Sequence, residues 1–315
     1  MTLAILCSGQ GGQHSAMFKL TGDAPCATAL FAHTSALLDG VDPRDLVRSV
    51  DAATLHENRA GQLLCSLQAL AASAALRAQI PKHITFAGYS VGEVAAWGVA
   101  RVLAPMATLD LVAKRAEAMD AATVIGDGLL HVRGIPRAIV DQLCGKCGTA
   151  IAIVNPGNAF VLGGAKEALA AFAREAKAAA GVNVVTIPVA VASHTPRLVD
   201  ASIAFLDALS RVPAALPPPS GNRLLSGVDG GFVLNATDGR KKLAAQISTT
   251  VQWADCLQGC IESGATAFLE LGPGTALKDM IRRAYPGVAA RSIDDFGTLE
   301  GARAWITQME SSSVH

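Results

Sequence analysis

Short apolar runs bounded by glycine alternate along this chain with longer stretches whose apolar residues recur at helical spacing. Residues 3–7 read as a buried strand that ends in the turn Gly9-Gln10-Gly11-Gly12, and residues 84–88 as a second strand. Helical patterns cover about 27–38, 61–79, 91–100 and 105–122. Pro105 opens the last of these, where a missing N–H costs nothing. The alanine-rich stretch 69–75 reads as a buried helix face. Strands alternating with helices predict an α/β domain with a mainly parallel sheet.

The middle of the chain changes rhythm. Strand-like runs at 129–133, 150–154, 160–162 and 182–189 are interleaved with helical ones at 136–143 and 166–180, and Asn155-Pro156-Gly157-Asn158 marks a turn between two strands. The order β-α-β-β-α-β is that of a ferredoxin-like unit. Residues 125–190 are therefore expected to form a small subdomain inserted into a larger one made of 1–124 and 191–315. A helix at 199–209, a proline-rich loop at 213–220 and a strand at 266–270 before Gly272-Pro273-Gly274 return to the main sheet.

Composition agrees with this division. The chain has 315 residues, 51% of them hydrophobic, slightly more than the roughly 250–300 that one core organises. Twenty-six basic residues balance 26 acidic ones, so no field for nucleic acid is implied. The first residues lack the basic segment of a signal peptide, and no apolar run reaches the roughly 18 residues of a membrane span. Seven cysteines, an odd number in a chain this large, fit a reducing cytoplasm. Cys144 and Cys147 form one C-x-x-C, but two further zinc ligands are missing nearby, and no metal site is expected.

The chemistry centres on Gly88-Tyr89-Ser90-Val91-Gly92, a G-x-S-x-G between an apolar strand and an apolar helix. In such a nucleophile elbow the serine occupies a strained turn, and small residues two before and two after let strand and helix approach. The helix N-terminus favours negative charge developing at the serine. Serine needs a base. Of seven histidines, His194 in Ala192-Ser193-His194-Thr195-Pro196 follows an apolar strand on a loop, whereas His14, His33, His56, His83 and His131 have no special surroundings. A base with the ordinary histidine pKa of about 6.5 would make the rate change between pH 5 and 9. Residue spacing alone leaves the Gln10 loop as an ordinary turn or an anion cradle, although no Gly-Lys-Ser/Thr follows to make a P-loop. It leaves Arg115 as a surface residue beside Lys114 and Glu117. Cys7, near that loop, is the alternative nucleophile.

Six ordered motifs resemble the malonyl-CoA:acyl-carrier-protein transacylase family over nearly the whole chain. They are Ser8-Gly9-Gln10-Gly11-Gly12-Gln13, Gly88 to Gly92, Arg115 at 25 residues past Ser90, Ser193-His194, Gln246 ahead of Thr250-Val251-Gln252-Trp253, and Glu270 to Gly274. The resemblance implies an α/β-hydrolase-like core with a ferredoxin-like insert. It further implies Ser90 as nucleophile, His194 as base, Gln246 orienting His194, backbone N–H groups of Gln10 and Val91 as oxyanion hole, and Arg115 binding the malonyl carboxylate. Asn155 matches an asparagine of the family's N-x-P-G region, which leaves a turn-forming role and a site role open. No cofactor is implied: the CoA thioester is substrate, and the thiol arm belongs to a partner acyl carrier protein. Departures from the common pattern, Cys7-Ser8, Tyr89, Arg59-Ala60-Gly61-Gln62-Leu63, Val191-Ala192-Ser193-His194 and the ending Arg291 to Phe296, resemble the epsilon subunit of bacterial malonate decarboxylases. That implies a carrier subunit of malonate decarboxylase as partner. The alternatives are a transacylase of fatty-acid or polyketide synthesis, a serine hydrolase or thioesterase, and a non-enzymatic carrier-docking module.

Overall fold

The structure, a computed structural model, describes residues 2–177 and 182–311. Nine strands are formed among them: β1 Thr2–Cys7, β2 Thr85–Gly88, β3 Asp127–Arg133, β4 Ala150–Asn155, β5 Ala159–Ala165, β6 Asn183–Ile187, β7 Arg223–Leu224, β8 Ala265–Glu270 and β9 Ala289–Ser292. Five of them make a parallel sheet in the order β7-β2-β1-β8-β9. Parallel strands need helical crossovers, and both faces are then covered. Accordingly Leu3 to Cys7 of the central strand β1 are all buried.

The crossover helix Asn58–Leu76 is buried from Gly61 through Ser73. Its alanines favour helix and, with its small serines, let neighbours approach on every side. It packs against Gly92–Val99 and Pro105–Ala122, and the latter against Val199–Ser210. The helix expected at 105–122 has those bounds, with Pro105 in its first turn.

The other four strands form an antiparallel sheet ordered β4-β5-β3-β6, with helices Arg137–Cys147 and Lys166–Lys177 completing a β-α-β-β-α-β sequence. Alternation along β3 sorts its residues. Leu130 and Val132 pack under the two helices with Phe160, Leu162 and Phe172, while Leu129 joins the cluster around Trp253 and Phe268 against the parallel sheet. The first of these helices runs past residue 143 to Cys147, where Gly148 ends it at φ 73°. Cys144 is therefore buried and Cys147 half-buried on a helix end. The expected extension of the second helix to residue 180 lies outside the described residues. The sheets are stitched together: the Val154 N–H donates to Val251 O at 2.9 Å, and the Val251 N–H to Ala152 O at 2.9 Å. No described helix is long and apolar enough to cross a membrane.

Candidate active site

β2 ends at Gly88, and the helix Gly92–Val99 starts four residues later. Ser90, at the apex, has φ 55°. A non-glycine residue in that region costs of order 1–3 kcal/mol and persists only where its surroundings hold it. They do so here: the Tyr89 N–H donates to Cys7 O at 3.0 Å and the Glu93 N–H to Ser90 O at 3.0 Å. A methyl group on Gly92 would sit 2.1 Å from the Cys7 carbonyl oxygen, and one on Gly88 2.1 Å from that of Gly92. The two glycines are required by close backbone approach.

His194 stands on the loop after the small sheet, also left-handed at φ 63°, and is 1% exposed. Its Nε2 lies 2.8 Å from Ser90 Oγ, and its Nδ1 contacts the backbone oxygen of Gln246. A carbonyl only accepts, so Nδ1 carries the proton and Nε2 is free to take one from the serine. Burial, with the nearby Arg115 charge adding to it, pushes the imidazole pKa down to about 3. Gln246 thus orients His194 through its main chain; the sequence reading assigned that task to the residue without distinguishing backbone from side chain.

The Gln246 side chain does something else. Its Nε2 donates to Ser90 O at 3.0 Å and to Glu93 Oε2, and its Oε1 accepts from Arg115 at 3.3 Å. Arg115 is 1% exposed, not a surface residue, and also donates to Gln62 Oε1 at 2.6 Å. Its guanidinium is held by two neutral amide oxygens, while its Nε has no partner among the described residues. Burial lowers its pKa to about 10, with Glu93 opposing. Glu93 is fully buried, and burial raises its carboxyl to about 8 against hydrogen bonds from Gly227 and Gln246 and the charge of Arg115.

Neither Glu93 nor Gln62 was singled out from sequence. Glu93 had a signal, lying three residues past Ser90 and so one turn into the elbow helix. Gln62 lay within a segment read only as a departure.

The loop Ser8–Gly12 runs beside Ser90 and is locked to the turn after β8. The Ser8 hydroxyl donates to Glu270 Oε1 at 2.6 Å, and Glu270 also accepts the Leu277 and Lys278 N–H groups at the start of helix Ala276–Ala284. A methyl on Gly12 would meet Pro273 O at 2.3 Å. Gln10 lies on this loop, and Val91 is buried at the elbow helix N-terminus.

A cavity of about 290 Å³ opens between the sheets over Ser90 and His194. Gln10, Tyr89 and Asn155 line it, with apolar walls from Leu129, Ile153, Val161 and Met280. His131 lines it too, contrary to its reading as a histidine without special surroundings, because it shares a face of β3 with Leu129. Asn155 lies beside the Tyr89 phenol, whose pKa burial raises to about 12, and the Asn155 Oδ1 is buried without a partner among the described residues. Arg115, Gln62 and Gln246 lie behind this lining. Cys7 is fully buried and its thiol is pushed far up by burial. Among the described residues no group of His, Cys, Asp and Glu is arranged to hold a metal ion.

Known proteins share this arrangement of sheets. The chain is 28% identical over 295 residues to the malonyl CoA-acyl carrier protein transacylase of Mycobacterium tuberculosis, covering 92% of this chain and 96% of that one. It is 25% identical over 312 residues to the Haemophilus influenzae protein of the same name, covering 96% and 98%. The crystal structure of MCAT from Mycobacterium tuberculosis superposes with a TM-score of 0.87 at 27% identity over 96% of this chain and 100% of that one. The acyl-carrier-protein S-malonyltransferase of Burkholderia pseudomallei gives 0.88 at 25% identity, covering 96% and 100%. The acyl transferase domain family matches residues 5–299, a span that holds both sheets, the Ser90 elbow and His194, and the chain belongs to that family.

Proposed function

We propose that this protein is a malonyl-CoA:acyl-carrier-protein transacylase. The observation that carries the reading is the Ser90–His194 pair at 2.8 Å with a buried guanidinium nearby whose hydrogen bonds go to the amide oxygens of Gln62 and Gln246. Ser90 Oγ attacks the thioester carbonyl of malonyl-CoA while His194 Nε2 takes the hydroxyl proton. The C–S bond then breaks, and the CoA sulfur leaves with that proton. In the second half His194 deprotonates the thiol of the carrier arm, the sulfur attacks the Ser90 ester, and the proton returns to Ser90. The backbone N–H groups of Gln10 and Val91 hold the oxyanion in both halves, where one such donor is worth about 2.7–4 kcal/mol. Arg115 takes the malonyl carboxylate with its planar fork, and the names of the similar proteins support malonyl as the acyl group.

Incubation with malonyl-CoA tests this. A persistent malonyl mass adduct on Ser90 that an added holo carrier discharges is the expected result. Free malonate released without an adduct makes the protein a hydrolase instead. A finer reading, a malonate decarboxylase carrier subunit as acceptor, is supported by Tyr89, Val191 to His194 and Arg291 to Phe296. Transfer to that carrier, and not to a fatty-acid carrier, is its test.

A further inference from the structure

A separate cavity, of about 420 Å³, shares no residue with the one over Ser90. It lies at the opposite end of the elbow helix Gly92–Val99, whose N-terminus follows the nucleophile. Arg77, just past the helix Asn58–Leu76, and Arg101, just past the elbow helix, both line it. Among the described residues neither arginine makes an ion pair or a side-chain hydrogen bond. No aspartate or glutamate lines the cavity. The two charges are close enough to repel: burial lowers the Arg77 pKa, and Arg101 lowers it further. Ser73, one turn before Arg77 on the same helix, lines the cavity at 7% exposure. Its hydroxyl has no hydrogen-bond partner among the described residues. The helix Pro105–Ala122 starts at the cavity wall, with Pro105 and Met106 and no side-chain cap, so the N–H groups of its first turn have no helical partner.

A cation after a helix C-terminus is favoured by the helix dipole, which accounts for either arginine alone. It does not account for two like charges brought together over a buried, unpartnered hydroxyl. We infer that this cavity binds a small phosphate monoester with an apolar substituent, its oxygens held by Arg77, Arg101 and Ser73. Such a phosphate carries about −1.5 to −2 charge at pH 7 and three acceptor oxygens, which matches two guanidinium groups and a hydroxyl donor. The start of the helix Pro105–Ala122 adds its own attraction for an anion. A phosphate group fills only part of the space. The remaining wall is apolar, from Leu30, Leu70, Val99 and Met106, and receives the ester substituent. The site stands apart from the Ser90 chemistry and does not depend on the transacylase reading.

Cys26 supplies the readout. It lines the cavity and is exposed, whereas the other cysteines are buried or half-buried. Its alkylation by iodoacetamide on the native full chain, followed by peptide mass spectrometry, reports occupancy of this cavity, with Cys147 as the internal control. The probe is phenyl phosphate. Saturable protection of Cys26 is expected, with a Kd of about 1 mM or below. Phenol, which lacks the charge, is expected to give none, and inorganic phosphate to bind about tenfold more weakly or worse. In the double variant R77A/R101A the affinity for phenyl phosphate falls by about tenfold or more, as expected for losing charge-assisted hydrogen bonds.

Absence of saturable protection, or equal protection by phenol, overturns the anion site. Inorganic phosphate binding as tightly as phenyl phosphate overturns the apolar substituent. Unchanged affinity in R77A/R101A refutes the role of the arginines. Should that variant fold poorly, Ser73→Ala decides, since alanine suits the helix. It must weaken protection by about fivefold, and unchanged affinity refutes the site.

Discussion

His194 is anchored to Gln246 through the latter's carbonyl oxygen, while the Gln246 side chain faces Arg115, Glu93 and Ser90 O. The two functions of one residue are therefore separable. Gln246→Ala keeps the carbonyl that orients the imidazole and removes the amide that holds the guanidinium. Malonyl transfer is expected to fall about tenfold more than acetyl transfer, since a hydrogen bond to a charged group is worth about 1.5–3 kcal/mol. Steady-state kcat/KM with both thioesters measures it. An equal collapse of both would mean that the side chain, not the backbone, positions His194.

Arg115 is fixed by two amide oxygens in a forked geometry. Lysine keeps the charge but cannot reproduce the fork. Arg115→Lys is expected to lower malonyl transfer by about 10- to 100-fold, and Arg115→Ala by more, with acetyl transfer much less affected. Matching losses for malonyl and acetyl in either variant would remove Arg115 from carboxylate recognition.

The buried imidazole changes the pH expectation. Its active form is neutral, and its pKa is pushed from the usual 6.5 down to about 3. Acylation of Ser90 by malonyl-CoA should therefore stay level from pH 8 to about 5, without the inflection near 6.5 that an exposed histidine would give. The sign for stability follows. Unfolding releases a histidine that binds a proton below about 6.5, so this group's contribution is complete above that pH and is lost as pH falls towards 3. Rapid-quench acylation rates across this range are the check, and a sigmoid centred near 6.5 would contradict the burial argument.

Cys7 lies beneath the Gln10 loop without exposure, and burial keeps its thiol protonated. Ser90→Ala should therefore abolish covalent malonylation outright, read by intact-protein mass spectrometry. A malonyl adduct surviving in that variant would hand the nucleophile's role to a cysteine.

A methyl group on Gly92 would face backbone, not a flexible side chain, at 2.1 Å from the Cys7 oxygen and 2.7 Å from that of Ser8. Gly92→Ala should cost about 1–3 kcal/mol or more by overpacking, seen as a lower urea midpoint, together with lost acylation. Wild-type stability in this variant would show that the strand and helix do not need to be so close.

How much of this was readable beforehand depends on the range of each interaction. The elbow was legible because Gly88, Ser90 and Gly92 act within five residues, and the helix at 105–122 because proline and apolar spacing mark it locally. His194 and Arg115 needed the ordered motifs: a loop histidine and a helical arginine look ordinary until the chain brings them together. The contact between Glu93 and Gln246 spans 153 residues, and no local pattern announces it. That His131 lines the cavity depends on which face of β3 it takes, and no local pattern marks that. The division of labour within Gln246 was invisible in principle, since a backbone carbonyl has no letter in the sequence.

The bond between Ser8 and Glu270 joins residues 262 positions apart. The loop that carries Gln10 therefore takes its shape only after β8 and its following turn exist. A chain that ends before β8 lacks the carboxylate that accepts the Ser8 hydroxyl and steadies this loop. On the transacylase reading, malonyl capture is expected only once the chain extends past Glu270 and the turn that follows it.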